Sequence, residues 1–299
     1  MEIANNQPAE RSTANKRRTM IFVSVSLLLV TAAAFAWFNV GAIERSLIGL
    51  FGPPQVELRE AYSANAAGPT MDHSSFDSLL KKHVDDDGWV DYEGLEGEES
   101  KLDRYLQSVA AAPFDEMGRD EKLALLINGY NASTLKLILD QMPIDSIQDI
   151  SEADRWDAVR WNIGGNQWSL NQIEHEQIRP KFAEPRVHFA LVCAAIGCPP
   201  LRNEAYNATR VNDQLQDQTE YVHEHSTWFA FDPDSGKLQL TKLYSWYGGD
   251  FEQAAGSVST FAARYSPALK QAIESGVASS PSWLPYDWNL NSLKNKQRR

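Results

Sequence analysis

The sequence contains no G-x-S-x-G elbow, no H-E-x-x-H pair and no glycine-rich phosphate loop. Their absence removes the usual local signatures of serine hydrolases, zinc proteases and nucleotide-binding enzymes. It has no internal repeat and no low-complexity tract, so solenoid and fibrous architectures are not indicated. Basic charge is also scarce. There are 28 Lys and Arg against 40 Asp and Glu, a formal charge of −12. The first 19 residues hold four basic and two acidic residues, which leaves 24 against 38, formally −14, for the remainder. Nucleic acid is therefore not an expected partner, and close binding to anionic lipid is disfavoured. The two cysteines, Cys193 and Cys198, are spaced C-x4-C rather than as a C-x-x-C redox motif.

What the chain does have is core material, with 43% hydrophobic residues and nine Trp, enough for one domain or at most two. It also has one long apolar run. From Met20 to Ile43 there is no charged residue, and roughly 20 such residues suffice to cross a hydrocarbon layer. Lys16, Arg17 and Arg18 precede the run and Glu44 follows it. The positive-inside rule then predicts a cytoplasmic leader over 1–19, a transmembrane signal anchor over 20–43 and an exported remainder, placing the chain in the inner membrane with its domain on the periplasmic side. A cleaved signal peptide ending near Ala34-Phe35-Ala36 is the alternative. Residues 44–71 are expected to be a linker, richest in small and polar residues over 63–70, residues 72–291 the α+β domain, and 292–299 a solvated basic tail.

Within the domain, Ser74 is expected to cap a helix carrying Phe76, Leu79, Leu80 and Val84, with Asp86-Asp87-Gly88 as the turn that ends it. A short extended piece at 89–92 follows. Leu102, Tyr105, Leu106 and Val109 recur at helical spacing, and a longer helix runs from about Arg119 to Gln141, stopped by Pro143. Gly164-Gly165 between apolar flanks predicts a hairpin, with Trp156, Trp161 and Trp168 packed about it. Ser169 and Gln172 have capping-box spacing ahead of a helix bearing Glu174 and His175. The apolar run from Val187 to Cys193 reads as a buried strand. A helix over about 211–225, strands near 229–231 and 238–240 separated by the turn Asp232 to Gly236, and helices around 251–265 and 267–275 complete an α+β pattern of mixed rather than alternating elements.

Several strings are more specific. Val90-Asp91-Tyr92, Leu126-Ile127-Asn128-Gly129-Tyr130-Asn131-Ala132, Glu174-His175 within QIEHEQIR, VHFALVCAAIGCPPLRNEAY from Val187 to Tyr206, and Trp246-Tyr247 with Asp250-Phe251 occur in that order. Together they resemble the uncharacterised family named domain of unknown function 547, over about residues 74–265. The resemblance implies no established reaction. It marks Asn128, Asn131, Glu174, His175, His188 and Cys193 as the family's characteristic polar positions, and Cys198 fits the cysteine motif.

Those residue types suit thiol chemistry, which needs a nucleophile, a base, a group to orient it and donors for a developing oxyanion. Cys193 is the expected nucleophile and His175 the expected base. Glu174 lies about 100° around the helix from His175, so it is placed beside substrate rather than behind the ring. Asn128 and Asn131 share a helical face and are read either as oxyanion donors or as hydrogen-bonded clamps on a loop. In a strand His188 and Cys193 would project oppositely, making His188 a satisfied core residue. Tyr130, Trp246 and Asp250 are the expected substrate-binding residues, although Trp246 also suits a core and Asp250 a helix cap.

The expected function is thus a Cys/His-dependent hydrolase or acyltransferase acting on an amide or ester, without a cofactor or a bound metal. A site of Glu174, His175 and Cys193 for zinc is chemically allowed but lacks local spacing. The alternative is a non-catalytic envelope module that binds a peptide, glycan or protein and carries a Cys193–Cys198 disulfide. Membrane is the one expected partner besides the unnamed peptide, glycan or small-molecule substrate.

Overall fold

The computed structural model describes residues 53–65, 67–277 and 280–296. One helix organises them. Arg119–Gln141 (α4) buries 18 of its 23 residues, including Leu123 to Leu135 without interruption. A helix apolar on all sides belongs inside a protein rather than on its surface. Around it pack Glu99–Ala110 (α3), the strand Trp161–Ile163 (β1), the π-helical turn Ile173–Ile178 and the helix Val211–Glu224 (α6). At Gly129 an added Cβ would come 2.7 Å from Ile163 Cδ1, so any larger residue there would require the Ile163 side chain to move.

Ser74–His83 (α1) and Tyr92–Glu96 (α2) precede this centre. Ser74 does not cap α1, as expected, but is its first residue. Its N–H donates to Asp72, and His73 stands at the cap position without a side-chain bond to the helix's N–H groups. The hairpin forms as the sequence indicates, β1 pairing antiparallel with Asn166–Trp168 (β2) across Gly164 and Gly165, both at positive φ. Ser169 and Gln172 form the expected capping box at Leu170–Gln172 (α5), which runs directly into the π-turn.

The strand expected from Val187 to Cys193 is absent. Pro185 starts a 3-10 turn, Pro185–Phe189, that Glu184 caps through the N–H of Arg186. Beyond it the backbone is irregular. In place of a strand neighbour, Asn131 reaches across from α4 to bond both Ala190 and Val192. Apolarity alone does not distinguish a buried strand from a buried turn whose polar groups are met by side chains.

A second apolar cluster gathers Phe189, Val222, Leu238, Leu240, Tyr244, Phe251, Phe261 and Leu269. It lies among α6, the sheet of Phe229–Asp232 (β3), Lys237–Leu240 (β4) and Ser282–Trp283 (β5), and the helices Leu243–Trp246 (α7), Gly248–Ala255 (α8), Val258–Ala262 (α9) and Pro267–Glu274 (α10). The stretch near 251–265, expected as one helical region, is split between α8 and α9 at Gly256, whose φ of 83° ends α8.

Both ends of the described chain are bound to this body. Arg119 pairs with Glu60 at 3.0 Å, Tyr62 packs on Phe182, and Gln253 bonds Val56 and Leu58, so part of the expected linker lies on the domain. The expected solvated tail begins with a helical turn, Leu293–Lys296 (α11), and Lys296 pairs with Asp85 and Asp87.

Among the described residues, no helix is long and apolar enough to cross a membrane. This corrects the expected fold class and location. The α+β body stands without a spanning helix, and a single-pass inner-membrane address is not carried further. Residues 20–43, on which that expectation fell, lie outside the described residues.

Two core histidines set an acid limit on stability. Burial lowers His73 and His223 from an ordinary 6.5 to about 4. Each is held neutral against a tyrosine hydroxyl, His73 on Tyr105 and His223 on Tyr244, both at 2.7 Å. Unfolding returns the rings to their ordinary values, so the unfolded chain takes up protons that the fold excludes. Their contribution is complete above about pH 6.5 and is lost as pH falls through 4, about 3 kcal/mol for each. Urea midpoints should therefore drop between pH 6.5 and 4; a flat midpoint across that range would contradict this assignment.

Candidate functional site

The site has two adjoining parts. The first is built on the π-turn. Its extra residue per turn re-aims side chains, and four residues separate His175 from Arg179. Arg179 is 1% exposed and makes a two-pronged bond to Asp250, Nε to Oδ2 at 2.8 Å and Nη2 to Oδ1 at 2.9 Å. Its Nη1 donates to the Pro54 carbonyl at 3.1 Å and to His175 Nδ1 at 3.2 Å. The guanidinium also lies 5.1 Å from the Tyr247 ring centre.

Asp250 also accepts from His188 Nε2 at 2.9 Å. Although burial opposes its ionisation, the bonds from His188 and Arg179 win and hold the carboxyl at about 2. His188 stacks on Tyr247 at 3.8 Å between ring centres. Its other nitrogen, Nδ1, is buried without a hydrogen bond and faces Glu174 Oε1 at 3.9 Å. The same carboxylate oxygen lies 3.8 Å from His175 Nδ1. Burial again favours the neutral acid at Glu174, but the two histidines, the Tyr247 hydroxyl and Arg179 lower its pKa overall. The Tyr130 hydroxyl bonds Glu174 too, and burial with the nearby carboxylate keeps that tyrosine protonated.

An arginine can only donate, so His175 Nδ1 must accept. The ring proton then resides on Nε2. Burial, reinforced by Arg179 and His188 against the pull of Glu174, lowers the His175 pKa. His175 is thus a neutral ring that offers a proton, where the sequence suggested a base.

The second part surrounds Cys193. This thiol is partly exposed and Cys198 is buried, and both are free. The following residue, Ala194, has φ 59°, a left-handed conformation that a residue with a Cβ adopts only when its surroundings enforce it. Here the C-terminal segment does so. Asn291 N–H donates to the Ala194 carbonyl at 3.0 Å and Leu290 bridges Ala195. The Tyr286 hydroxyl reaches Cys193 Sγ at 3.0 Å. Burial pushes the Tyr286 and Cys198 pKa values well up, so both keep their protons and act as donors. The Cys198 thiol, then the Tyr286 hydroxyl and the Ala195 N–H, outweigh burial and the charge of Glu174 and lower the Cys193 pKa.

The expected site residues separate accordingly. Glu174, His175, Tyr130 and Asp250 meet in the first part. Cys193 lies close enough for the charge of Glu174 to act on it, yet no hydrogen bond among the described residues joins Cys193 to His175. Asn128 and Asn131 are clamps. Asn128 donates to the Tyr206 carbonyl at 2.8 Å and accepts from its N–H at 2.9 Å, while Asn131 holds Ala190 and Val192 at 2.9 and 3.0 Å. Asp250, fully buried, has both oxygens engaged within the fold. Trp246 packs at 4.9 Å from Tyr286 and 5.9 Å from Trp288, an aromatic cluster beside the thiol. Among the described residues no three His, Cys, Asp or Glu side chains are grouped to hold a metal ion.

Sequence reasoning missed Arg179 and Tyr286. The four-residue spacing from His175 could have pointed to Arg179. Nothing local points to Tyr286, which is brought in only by the path of the C-terminal segment.

A family model described as "Protein of unknown function, DUF547" matches residues 114–222, so the resemblance seen in the sequence is shown over that stretch. It spans α4, the hairpin, Glu174, His175, Arg179, His188 and both cysteines, whereas Trp246, Asp250 and Tyr286 lie outside it. No curated protein and no solved structure matches the chain.

Nitrogen-15 shifts of histidine-labelled protein at neutral pH should show His175 protonated on Nε2 alone. A proton on Nδ1, or an imidazolium, would overturn the donor assignment. Replacing Asp250 by Ala leaves a buried guanidinium without its counter-charge and should cost about 3–5 kcal/mol, measured by urea denaturation.

Proposed function

We propose that this chain, which resembles DUF547 over its central third, is a thiol-dependent acyl-transfer enzyme, a hydrolase or acyltransferase acting on an amide or ester, with Cys193 as nucleophile. The observation that carries this is the protonated Tyr286 hydroxyl 3.0 Å from one partly exposed sulfur, with the Cys198 thiol and the Ala195 N–H also acting to lower that sulfur's pKa. Donors of this kind favour thiolate over thiol, and thiolate is the reactive species.

In the proposed reaction the Cys193 thiolate attacks the carbonyl carbon, the tetrahedral oxyanion collapses as the C–N or C–O bond breaks, and the amine or alcohol leaves with a proton taken from water. Water or an acceptor nucleophile then releases the acyl group from sulfur. The same donors ease loss of the thiol proton to solvent. What the oxyanion then requires is a hydrogen-bond donor, which suits the Nε2–H of His175. The aromatic cluster of Trp246, Tyr286 and Trp288 supports substrate binding beside the sulfur, because flat apolar faces with a polar edge suit peptide or sugar groups. The same cluster is what favours the second reading, a module that binds such groups without turnover.

A thiol-directed probe such as iodoacetamide should label Cys193 in the reduced chain well before Cys198, and Cys193→Ala should abolish both that labelling and any ester hydrolysis. In Tyr286→Phe the midpoint of the labelling–pH curve should move towards alkaline pH, and the rate below the midpoint should fall by up to about tenfold for every pH unit it moves. Equal labelling of the two cysteines, or an unmoved midpoint in Tyr286→Phe, sinks the nucleophile assignment; selective labelling with no turnover on any ester or amide would leave the binding module standing.

A further inference from the structure

Cys193 and Cys198 are the two cysteines of the chain, and the fold places them in contact. The Cys193 N–H donates to the Cys198 sulfur at 3.3 Å, and the Cys198 thiol in turn bonds the Cys193 sulfur. Their surroundings are unequal. Cys193 is partly exposed and meets the Tyr286 hydroxyl, while Cys198 is 4% exposed, with its thiol donating to the Leu191 carbonyl at 3.8 Å. A reagent from solvent therefore meets Cys193 first. A product formed on that sulfur then has a second thiol already at hand.

We propose that the site also reacts with hydroperoxides, Cys193 taking the oxygen and Cys198 resolving the product as an internal disulfide. The Cys193 thiolate attacks one oxygen of ROOH. The S–O bond forms as the O–O bond breaks, and the departing RO⁻ takes a proton from solvent to leave as ROH. Cys193 is now a sulfenic acid. The Cys198 sulfur attacks it, forming the S–S bond and expelling hydroxide, which combines with the Cys198 proton as water. The peroxide is reduced by two electrons and the two thiols are oxidised by the same two. The Tyr286 hydroxyl and the Ala195 N–H, which hold the thiolate, lie where they can also bond the oxygen added to it.

The way back requires an external dithiol. Access directs the exchange: the dithiol attacks the partly exposed Cys193 sulfur and expels Cys198, which takes a proton, and the second thiol of the dithiol then attacks its own linked sulfur, freeing Cys193 and leaving as an internal disulfide. The disulfide withdraws the nucleophile while it lasts. Proposed acyl transfer and peroxide reduction are thereby alternative uses of one sulfur, and this inference rests on the same thiolate as the acyl-transfer reading.

The test uses the full chain, reduced and then freed of reductant, with stoichiometric hydrogen peroxide followed by iodoacetamide and intact-mass measurement. The expected product is monomeric, about 2 Da lighter than the dithiol, and resistant to alkylation. Cys198→Ala should stop at the sulfenic acid, trapped by dimedone on Cys193, and Cys193→Ala should leave Cys198 reduced under the same exposure. Retention of two alkylatable thiols, a disulfide between chains, or oxidation of Cys198 in Cys193→Ala at the parent rate would overturn the proposal. Selective alkylation of Cys193 before peroxide, with no disulfide formed when unalkylated chain meets peroxide, removes this inference and spares the acyl-transfer reading. A disulfide formed by a chain that turns over no ester or amide supports the inference and removes that reading instead.

Discussion

The buried pair of Arg179 and Asp250 is the constraint on which the rest of the site depends. A guanidinium that is 1% exposed has lost its water, and the fold must supply acceptors for it. Four are found: two oxygens of Asp250, the carbonyl of Pro54 and Nδ1 of His175. Each comes from a different structural need. Asp250 brings α8 to the π-turn, Pro54 brings in the segment ahead of the domain, and His175 is fixed in one tautomer. Asp250 then has an oxygen to share with His188, which orients that ring against Tyr247 and towards Glu174. One desolvated cation thus dictates the positions of two histidines and the course of two remote segments.

Local chemistry made much of the fold readable. Ser169 and Gln172 announce a helix start because a capping box needs only those two side chains at that spacing, and Gly164-Gly165 announces a hairpin because few other residues tolerate both positive φ values. Where the answer lay in distant partners, the sequence misled. Val187 to Cys193 is apolar enough for a strand, but the amide of Asn131 replaces the neighbouring strand and allows a turn instead. Asp250 has the spacing of a cap, yet it answers a charge 71 residues away. The Asn pair was legible as a shared helical face. Whether it served an oxyanion or a loop depended on Tyr206, Ala190 and Val192, none of which helical spacing could supply.

The cysteines show the same division. Their spacing left nucleophile and disulfide as competing interpretations, and an exported location would have weighed on the second. With no spanning helix among the described residues to support that location, the surroundings of the sulfurs must decide. Those surroundings treat the two thiols differently: one is supplied with donors, the other is buried with its proton. A permanent structural disulfide would gain nothing from a tyrosine hydroxyl and a backbone N–H aimed at one of its sulfurs. A thiolate gains directly.

Proton accounting joins the two halves of the site. Around Cys193 the Tyr286 hydroxyl, the Cys198 thiol and the Ala195 N–H all favour the anion, and among the described residues no base is hydrogen-bonded to the sulfur, so the proposed reaction draws on a stabilised thiolate. Around Glu174 there are tyrosine hydroxyls and two imidazoles, and Arg179 ensures that one of those rings presents N–H rather than a lone pair. A base at His175 would duplicate a task already performed by Tyr286, Cys198 and Ala195. In the proposed reaction a hydrogen-bond donor there answers the charge that attack by a thiolate creates on oxygen, while the leaving group takes its proton from water. Glu174 opposes the thiolate electrostatically and is itself held anionic by its neighbours. In the proposed reaction attack moves charge off the sulfur and so relieves that repulsion.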